Sequence, residues 1–142
     1  MSDDAEIFRQ YDERTDAREQ VVMLLYESEQ RSISSLDLLG ERGIASEALA
    51  RALLVGVEAS RERIDGEITI HAKGWALDRM PALDRAILRL AIHELLDRPD
   101  VPVAVVIDEA VELAKRFSTD DSGRFVNGVL AAVARTARPS GE

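Results

Sequence analysis

Residues 81–96 read PALDRAILRLAIHELL, and the placing of their apolar side chains decides the fold. At about 100° per residue, Leu83, Ile87, Leu90, Ala91 and Glu94 fall on one side of a helix. Pro81 suits a first helical turn, where its missing N–H has no intrahelical partner to lose. Ala86, Leu88 and Leu95 carry the apolar surface round most of the circumference, and only Asp84, Arg85, Arg89 and His93 argue for a wet side. The pattern predicts a central helix. Glu94 then sits in the middle of an apolar face, where a carboxylate must find donors or lose its charge. The free N–H groups at the start of the following helix, around Val103 to Val105, are the nearest supply and a favourable dipole end.

Two further helices follow. Pro99 and Pro102 break the chain, and residues 102–117, PVAVVIDEAVELAKRF, put Val103, Val106, Ile107, Ala110, Leu113, Ala114 and Phe117 on one face. The oxygens of Ser118, Thr119, Asp120 and Asp121 then cap a last helix, in which Phe125, Val126, Val129, Leu130 and Val133 share a face.

Upstream, residues 1–11 are polar and acidic without a clean period and read as a mobile tail. A first helix from about Asp12 to Gln30 turns Ala17, Val21, Leu24, Leu25 and Ser28 inward. Ser34 and Ser35 cap a short helix closed by Gly40 and Gly43, and Ser46 caps a longer one from Glu47 to about Arg63. After a bend at Asp65 and Gly66, GEITIHAKG reads as a further short helix, because Ile68, Thr69 and Ile70 have no partner strand anywhere in the chain. The reading is a single domain over residues 12–137, with a short tail over 138–142.

At 142 residues, one domain of this size buries on the order of two-thirds of its unfolded surface. Hydrophobic residues make up 46% of the chain but aromatics only 4%, so the core must be built from Leu, Val, Ile and Ala. No apolar run approaches the roughly 20 residues needed to span a bilayer, and the acidic start MSDDAEIF is unlike a secretory signal. A cytoplasmic protein with no membrane partner is expected. With no cysteine, disulfides, thiolate metal sites and thiol nucleophiles are excluded.

Catalytic patterns are missing as well. His93-Glu94 only faintly echoes the HExxH zinc motif, since there is no second histidine and the two residues lie on different helix faces. There is no GxGxxG or GxxxxGK[ST] phosphate cradle, and His71 has no acidic or serine partner at a telling spacing. No enzyme, metal or cofactor is expected.

The stretches WALDRMPALDRAILRLAIHELL (75–96), DVPVAVVIDEAVELAKRFS (100–118) and DDSGRFVNGVL (120–130) together resemble the NusB family of transcription antitermination factors. AREQVVMLLYESE (17–29) fits the family's first helix through Ala17, Arg18, Leu25 and Tyr26. The resemblance implies an all-α, compact bundle of about six to seven helices in two packed subdomains, the first ending near Gly74. It also implies an RNA-binding factor that joins a small-subunit ribosomal protein, called NusE in its transcription role, on boxA RNA in the antitermination complex with RNA polymerase. Some family members self-associate through the surface that otherwise meets RNA, so a homodimer is the alternative use of that surface.

Candidate site residues follow from both sources. On the first helix Arg14, Arg18, Val22 and Tyr26 succeed one another at i+4 steps. They form either a small RNA platform or a core edge whose arginines pair with Asp16, Glu19 or Glu29. The family's arginine cluster is reduced here to Arg14 and Arg18, because Thr15 and Asp16 stand where further basic residues are usual. The resemblance carries RNA contacts onto Phe117, Asp121, Arg124 and Phe125, with Asp78 from the loop before the central helix. Core packing is the alternative for the two phenylalanines. Asp84, Arg85 and Arg89, among apolar neighbours, form the mixed surface expected to meet the ribosomal partner. Gly128, mid-helix at a cost of about 1 kcal/mol relative to alanine, marks either a tight crossing or a surface lined by Arg124, Asn127 and Ala131.

Charge tempers the RNA reading. The net charge is −9, and residues 1–41 hold four Arg against eleven Asp and Glu. Phosphate binding depends on Lys and Arg releasing counterions, so an acidic flank weakens it. A protein-interaction module with weak or lost RNA binding is therefore the alternative, and the accessory domain of an RNA methyltransferase a further one.

Overall fold

The computed structural model describes residues 3–43 and 47–142, with side chains from Glu13 onward. Among the described residues the chain is all-helical: α1 (Asp3–Arg31), α2 (Ser35–Arg42), α3 (Glu47–Ala59), α4 (Arg61–His71), a 3₁₀ turn (Leu77–Arg79), α5 (Ala82–Asp97), α6 (Val103–Phe117) and α7 (Asp120–Ala137). Helix α5 is the hub. It packs against α1, α3, α4, α6 and α7, while α6 and α7 form a hairpin against it. One continuous apolar cluster runs from Val21 and Leu25 of α1 through Leu53 and Ile64 to Ile87, Leu113 and Leu130, joining both halves of the chain.

Several boundaries differ from the sequence reading. Helix α1 reaches back to Asp3, so residues 3–11, expected as a tail, continue the helix. Nothing in DDAEIFRQYDE is proline or glycine, so a helix nucleated downstream propagates through it. Gly40 lies inside α2, and it is Gly43, left-handed at φ 59°, that ends the helix. The long helix expected to run on from residue 47 breaks at Ser60, and α4 then passes straight through the expected bend at Asp65 and Gly66. GEITIH is helical, as expected. Thr119 caps α7 by accepting from the Ser122 N–H at 3.1 Å, whereas the cap assigned to Ser46 lies outside the described residues.

The main correction concerns α5. Every residue from Asp84 to Leu95 is buried, so the wet side expected at Asp84, Arg85, Arg89 and His93 does not exist. A helix buried to this extent can carry charged side chains only if they find partners. Arg89 grips Asp65 through Nε and Nη2 at 2.9 and 3.1 Å and reaches Glu29 through Nη1 at 3.1 Å. Burial opposes the charge on Arg89, but the Asp65 and Glu29 carboxylates outweigh it and hold the pKa above its ordinary value. Arg85 donates to Glu29 and to the carbonyls of Leu77 and Met80. Those bonds tie α1 and the 3₁₀ turn to α5.

Glu94 is buried at 3% exposure, as expected, but its partner is not the backbone of α6. Arg18 of α1 holds it, with Nε 3.1 and 3.0 Å from the two carboxylate oxygens and Nη2 at 2.9 Å. Arg18 lies one helix away, and its planar fork satisfies both oxygens together.

The C-terminal residues 138–142 are built into the fold. Arg138, 8% exposed, donates to the carbonyls of Glu94, Leu95, Arg98, Val101 and Glu142. The guanidinium thereby caps the end of α5, adding to the Arg98 and Val101 N–H groups that already reach the Glu94 and Arg98 carbonyls and supplying the donor for Leu95. Replacing Arg138 with alanine removes all five of these hydrogen bonds and is expected to cost about 3 kcal/mol in urea denaturation. Arg138→Lys should recover only part of that loss, because an ammonium has three donors and no fork.

His93 packs directly against Gly56: a Cβ at Gly56 would lie 2.1 Å from the ring's Cε1. Burial lowers the His93 pKa, against the raising effect of Asp97, whose Oδ2 lies 3.4 Å from Nδ1 without hydrogen-bond alignment. The folded state keeps the ring neutral where the unfolded chain takes up a proton. Stability is therefore full above the unfolded pKa of 6.5 and is lost as pH falls through the lower folded value. Melting temperature should fall between about pH 7.5 and about pH 5.5, and His93→Phe should flatten that slope.

Candidate nucleic-acid interface

Where the loop before α5 meets the start of α7, a pocket of about 360 Å³ opens to solvent, lined by Trp75, Pro81, Asp84, Thr119, Asp121, Ser122 and Phe125. The two ends that form it are set by sequence. Gly74, at φ 81°, turns the chain out of α4, and Trp75 follows at 49% exposure. Phe125, one turn into α7, is partly buried against the core. The rings of Trp75 and Phe125 stand 5.8 Å apart at 45°, within the range of favourable aromatic pairs.

The polar wall is a hydrogen-bond chain. Ser122 Oγ donates to Asp84 Oδ2 at 2.9 Å and therefore accepts from Ser118 at 2.8 Å and Thr119 at 3.2 Å. Asp84, 2% exposed, leaves Oδ1 without a hydrogen-bond partner among the described residues. Asp121 is exposed and paired with Arg124, itself 76% exposed in its side chain. No Lys or Arg lines the pocket.

The residues expected to bind RNA divide among several places. Asp121 and Phe125 line this pocket and Arg124 stands at its rim. Phe117 packs on the core, with the Arg116 guanidinium 4.8 Å above its ring. Asp78 lines a separate open hollow with Glu29, Arg61, Leu77, Arg85 and Arg89. Tyr26 is exposed on α1. Arg14 is exposed too, at a crevice beside Leu49, Arg98 and Asp100.

The first-helix platform is not assembled. Val22 is fully buried and Arg18 is 4% exposed. Besides Glu94, Arg18 faces Glu109 at 3.8 Å, and Glu109 accepts from Thr15 at 2.8 Å. Arg18 is thus a core cation that ties α1 to α5 and α6. Asp84, Arg85 and Arg89 are likewise largely buried, Asp84 at the wall of the pocket beside Trp75 and the two arginines at the floor of the hollow beside Asp78. Gly128 is exposed, and a Cβ added there would meet nothing within 4 Å. That removes the tight crossing and leaves an open patch beside Arg124 and Asn127.

Sequence reasoning misses Trp75, Pro81 and Ser122 as site residues. Trp75 alone carries a signal, as the single tryptophan of the chain placed directly after a glycine and before the central helix.

A family model described as the NusB family matches residues 15–135. The transcription antitermination protein NusB of Saccharopolyspora erythraea is 52% identical over 128 residues, covering 85% of this chain and 86% of that protein. Among solved structures, NusB of T. maritima superposes with a TM-score of 0.80 at 36% identity, covering 86% of this chain and 90% of that one. A crystal structure of the antitermination factors NusB and NusE in complex with dsRNA contains a chain with a TM-score of 0.79 at 27% identity, covering 88% and 98%.

The two arginines of α1 should separate cleanly. Arg18→Ala leaves Glu94 buried without its cation and is expected to cost about 3–5 kcal/mol in chemical denaturation. Arg14→Ala, at an exposed position, should change stability by less than about 0.5 kcal/mol. Equal and small effects would mean that Arg18 is not a core cation.

Proposed function

The chain belongs to the NusB family of transcription antitermination proteins, and from that premise we propose that it binds boxA-type single-stranded RNA together with the ribosomal protein NusE. In this reading it acts in the cytoplasm, within the antitermination complex of RNA polymerase on ribosomal RNA transcripts. The family is one of antitermination factors, not enzymes. No helix among the described residues is long and apolar enough to cross a membrane.

The observation that carries the proposal is the aromatic-walled pocket between Trp75 and Phe125. Sequence-specific proteins read single-stranded RNA by taking unstacked bases onto aromatic rings, and this pocket offers two rings at the surface. Its α7 side is built by DDSGRF, within the resemblance to the family. The relative solved with NusE and dsRNA lends support to both partners.

Electrostatics assigns the partner its share. Arg85 and Arg89 are engaged by Glu29 and Asp65, and Arg18 by Glu94. Exposed cations remain for phosphate, among them Arg14, Lys73, Arg79, Lys115 and Arg135, while Arg124 is paired with Asp121. With a net charge of −9, the chain alone binds RNA weakly, and a basic ribosomal protein completes the site.

Fluorescence anisotropy of labelled boxA RNA, with and without NusE, tests this. The pair should bind at least about tenfold more tightly than the chain alone, whose salt slope should reflect only a few phosphates at about 0.7 each. Tight binding without NusE would overturn the assigned division of labour. No binding even with NusE would favour the protein-interaction alternative, which the internally paired arginines also suit.

A further inference from the structure

Where α1 passes the turn between α5 and α6, a small crevice carries five charged residues on its walls: Arg14, Arg18, Arg98, Glu94 and Asp100. Arg18 and Glu94 hold each other, so the charge left for a ligand is that of Arg14, Arg98 and Asp100, two cations to one anion. Arg98 stands apart from the other arginines. Among the described residues, those that are buried or half-buried are Arg18, Arg61, Arg85, Arg89, Arg98 and Arg138. Each of the others is engaged by a carboxylate or by backbone carbonyls. Neither Arg98 nor the exposed Arg14 has a side-chain hydrogen bond or ion pair among the described residues.

A half-buried guanidinium without an acceptor has given up part of its hydration, so an oxyanion brought to it gains a charge-assisted, two-pronged contact. The enclosed part of the crevice is about 20 Å³, room for one water-sized group. An oxyanion therefore rests at the mouth and sends no more than one oxygen inward. We infer that this crevice is a subsite for one backbone phosphate of the RNA, held between Arg14 and Arg98. It rests on the RNA-binding reading and adds to it a contact at the opposite end of α5 from Trp75, a helix of 16 residues or about 24 Å. Such a contact fixes the position of the strand and reads no base. A peptide carboxylate has similar charge chemistry, but protein partners dock on an apolar or aromatic centre. None of the exposed large hydrophobics Tyr26, Val55, Ile70 and Trp75 lines the crevice.

The test titrates the full-length chain, with NusE, with labelled boxA RNA over a range of salt concentrations, using the unaltered protein, Arg98→Ala, Arg98→Lys and Asp100→Asn. Loss of one phosphate contact lowers the salt slope by about 0.7, which is about fivefold in affinity at about 0.1 M salt. Arg98→Ala should show both changes, and to the same extent with an unrelated strand of equal length. Arg98→Lys should keep most of the slope, and Asp100→Asn should tighten binding about twofold by removing the opposing charge. Because the Arg98 side chain has no partner to lose, Arg98→Ala should keep the melting temperature within about 2 °C. Inorganic phosphate added to the free chain, followed by the Arg98 Nε–Hε NMR signal, separates a free oxyanion from the RNA backbone.

Unchanged slope and affinity in Arg98→Ala would overturn the subsite while leaving RNA binding intact. Saturable binding of inorganic phosphate with that same unchanged RNA slope would make the crevice a free-phosphate site and overturn its assignment to RNA. Weaker capture of NusE by Arg98→Ala in the absence of RNA would give the crevice to a carboxylate of the protein partner, and the phosphate assignment would be wrong. Failure of boxA RNA to bind the unaltered chain, with or without NusE, would instead remove the RNA reading itself.

Discussion

The bidentate bond between Arg18 of α1 and Glu94 of α5 is the contact on which the rest of the structure depends. Glu94 stands in the middle of the one helix that is enclosed along its length, and a carboxylate there is tolerated only with its donors in place. Because Arg18 comes from the first helix, folding of the hub is tied to docking of the N-terminal half. At the C-terminal end of α5, Arg138 performs the equivalent service from the C-terminal half, donating to the carbonyls of Glu94, Leu95 and Arg98. The hub is thus held by a guanidinium from each end of the chain.

This arrangement governs function through subtraction. Arg85 and Arg89 look, in one dimension, like surface cations, yet Glu29 and Asp65 hold them inside. Hydrogen bonds from Arg85, against the opposing effect of burial, keep the Glu29 carboxyl below its ordinary pKa, so the cluster stays charged at neutral pH. Cations fixed by internal carboxylates contribute little to phosphate binding, and the chain as a whole is acidic. What the surface does offer is an aromatic pocket walled by acceptors, which suits base recognition and not backbone neutralisation.

Much of the fold is legible in the sequence because local signals agree with one another. Pro81, Pro102 and the Ser118 to Asp121 run mark the starts of α5, α6 and α7, and the apolar periods give their faces. The break at Ser60 is hidden because no proline or glycine stands between Val57 and Asp65 to mark it. The site is less legible. Periodicity assigns polar residues on a helix to water, and it has no means of seeing that Arg89 meets Asp65 from α4 or that Arg18 meets Glu94 across 76 positions. Family resemblance carries Asp121, Arg124 and Phe125 to the end of α7 that borders the pocket, but Trp75 and the unfilled Asp84 oxygen emerge only when the loop before α5 is folded against it.

If Arg18, Arg85 and Arg89 are internal ties and ligands meet the molecule around Trp75 and Phe125, the two groups must respond differently when a complex forms. Side-chain NMR of the arginine Nε–Hε groups, recorded for the free chain and after addition of NusE and boxA RNA, reads both responses in one sample. Slowly exchanging Nε–Hε signals are expected for Arg18, Arg85 and Arg89, and they should stay in place on complex formation while the Trp75 indole signal shifts. Movement of the Arg85 and Arg89 signals with a stationary Trp75 would show instead that the arginines face the ligand and that the aromatic pocket does not.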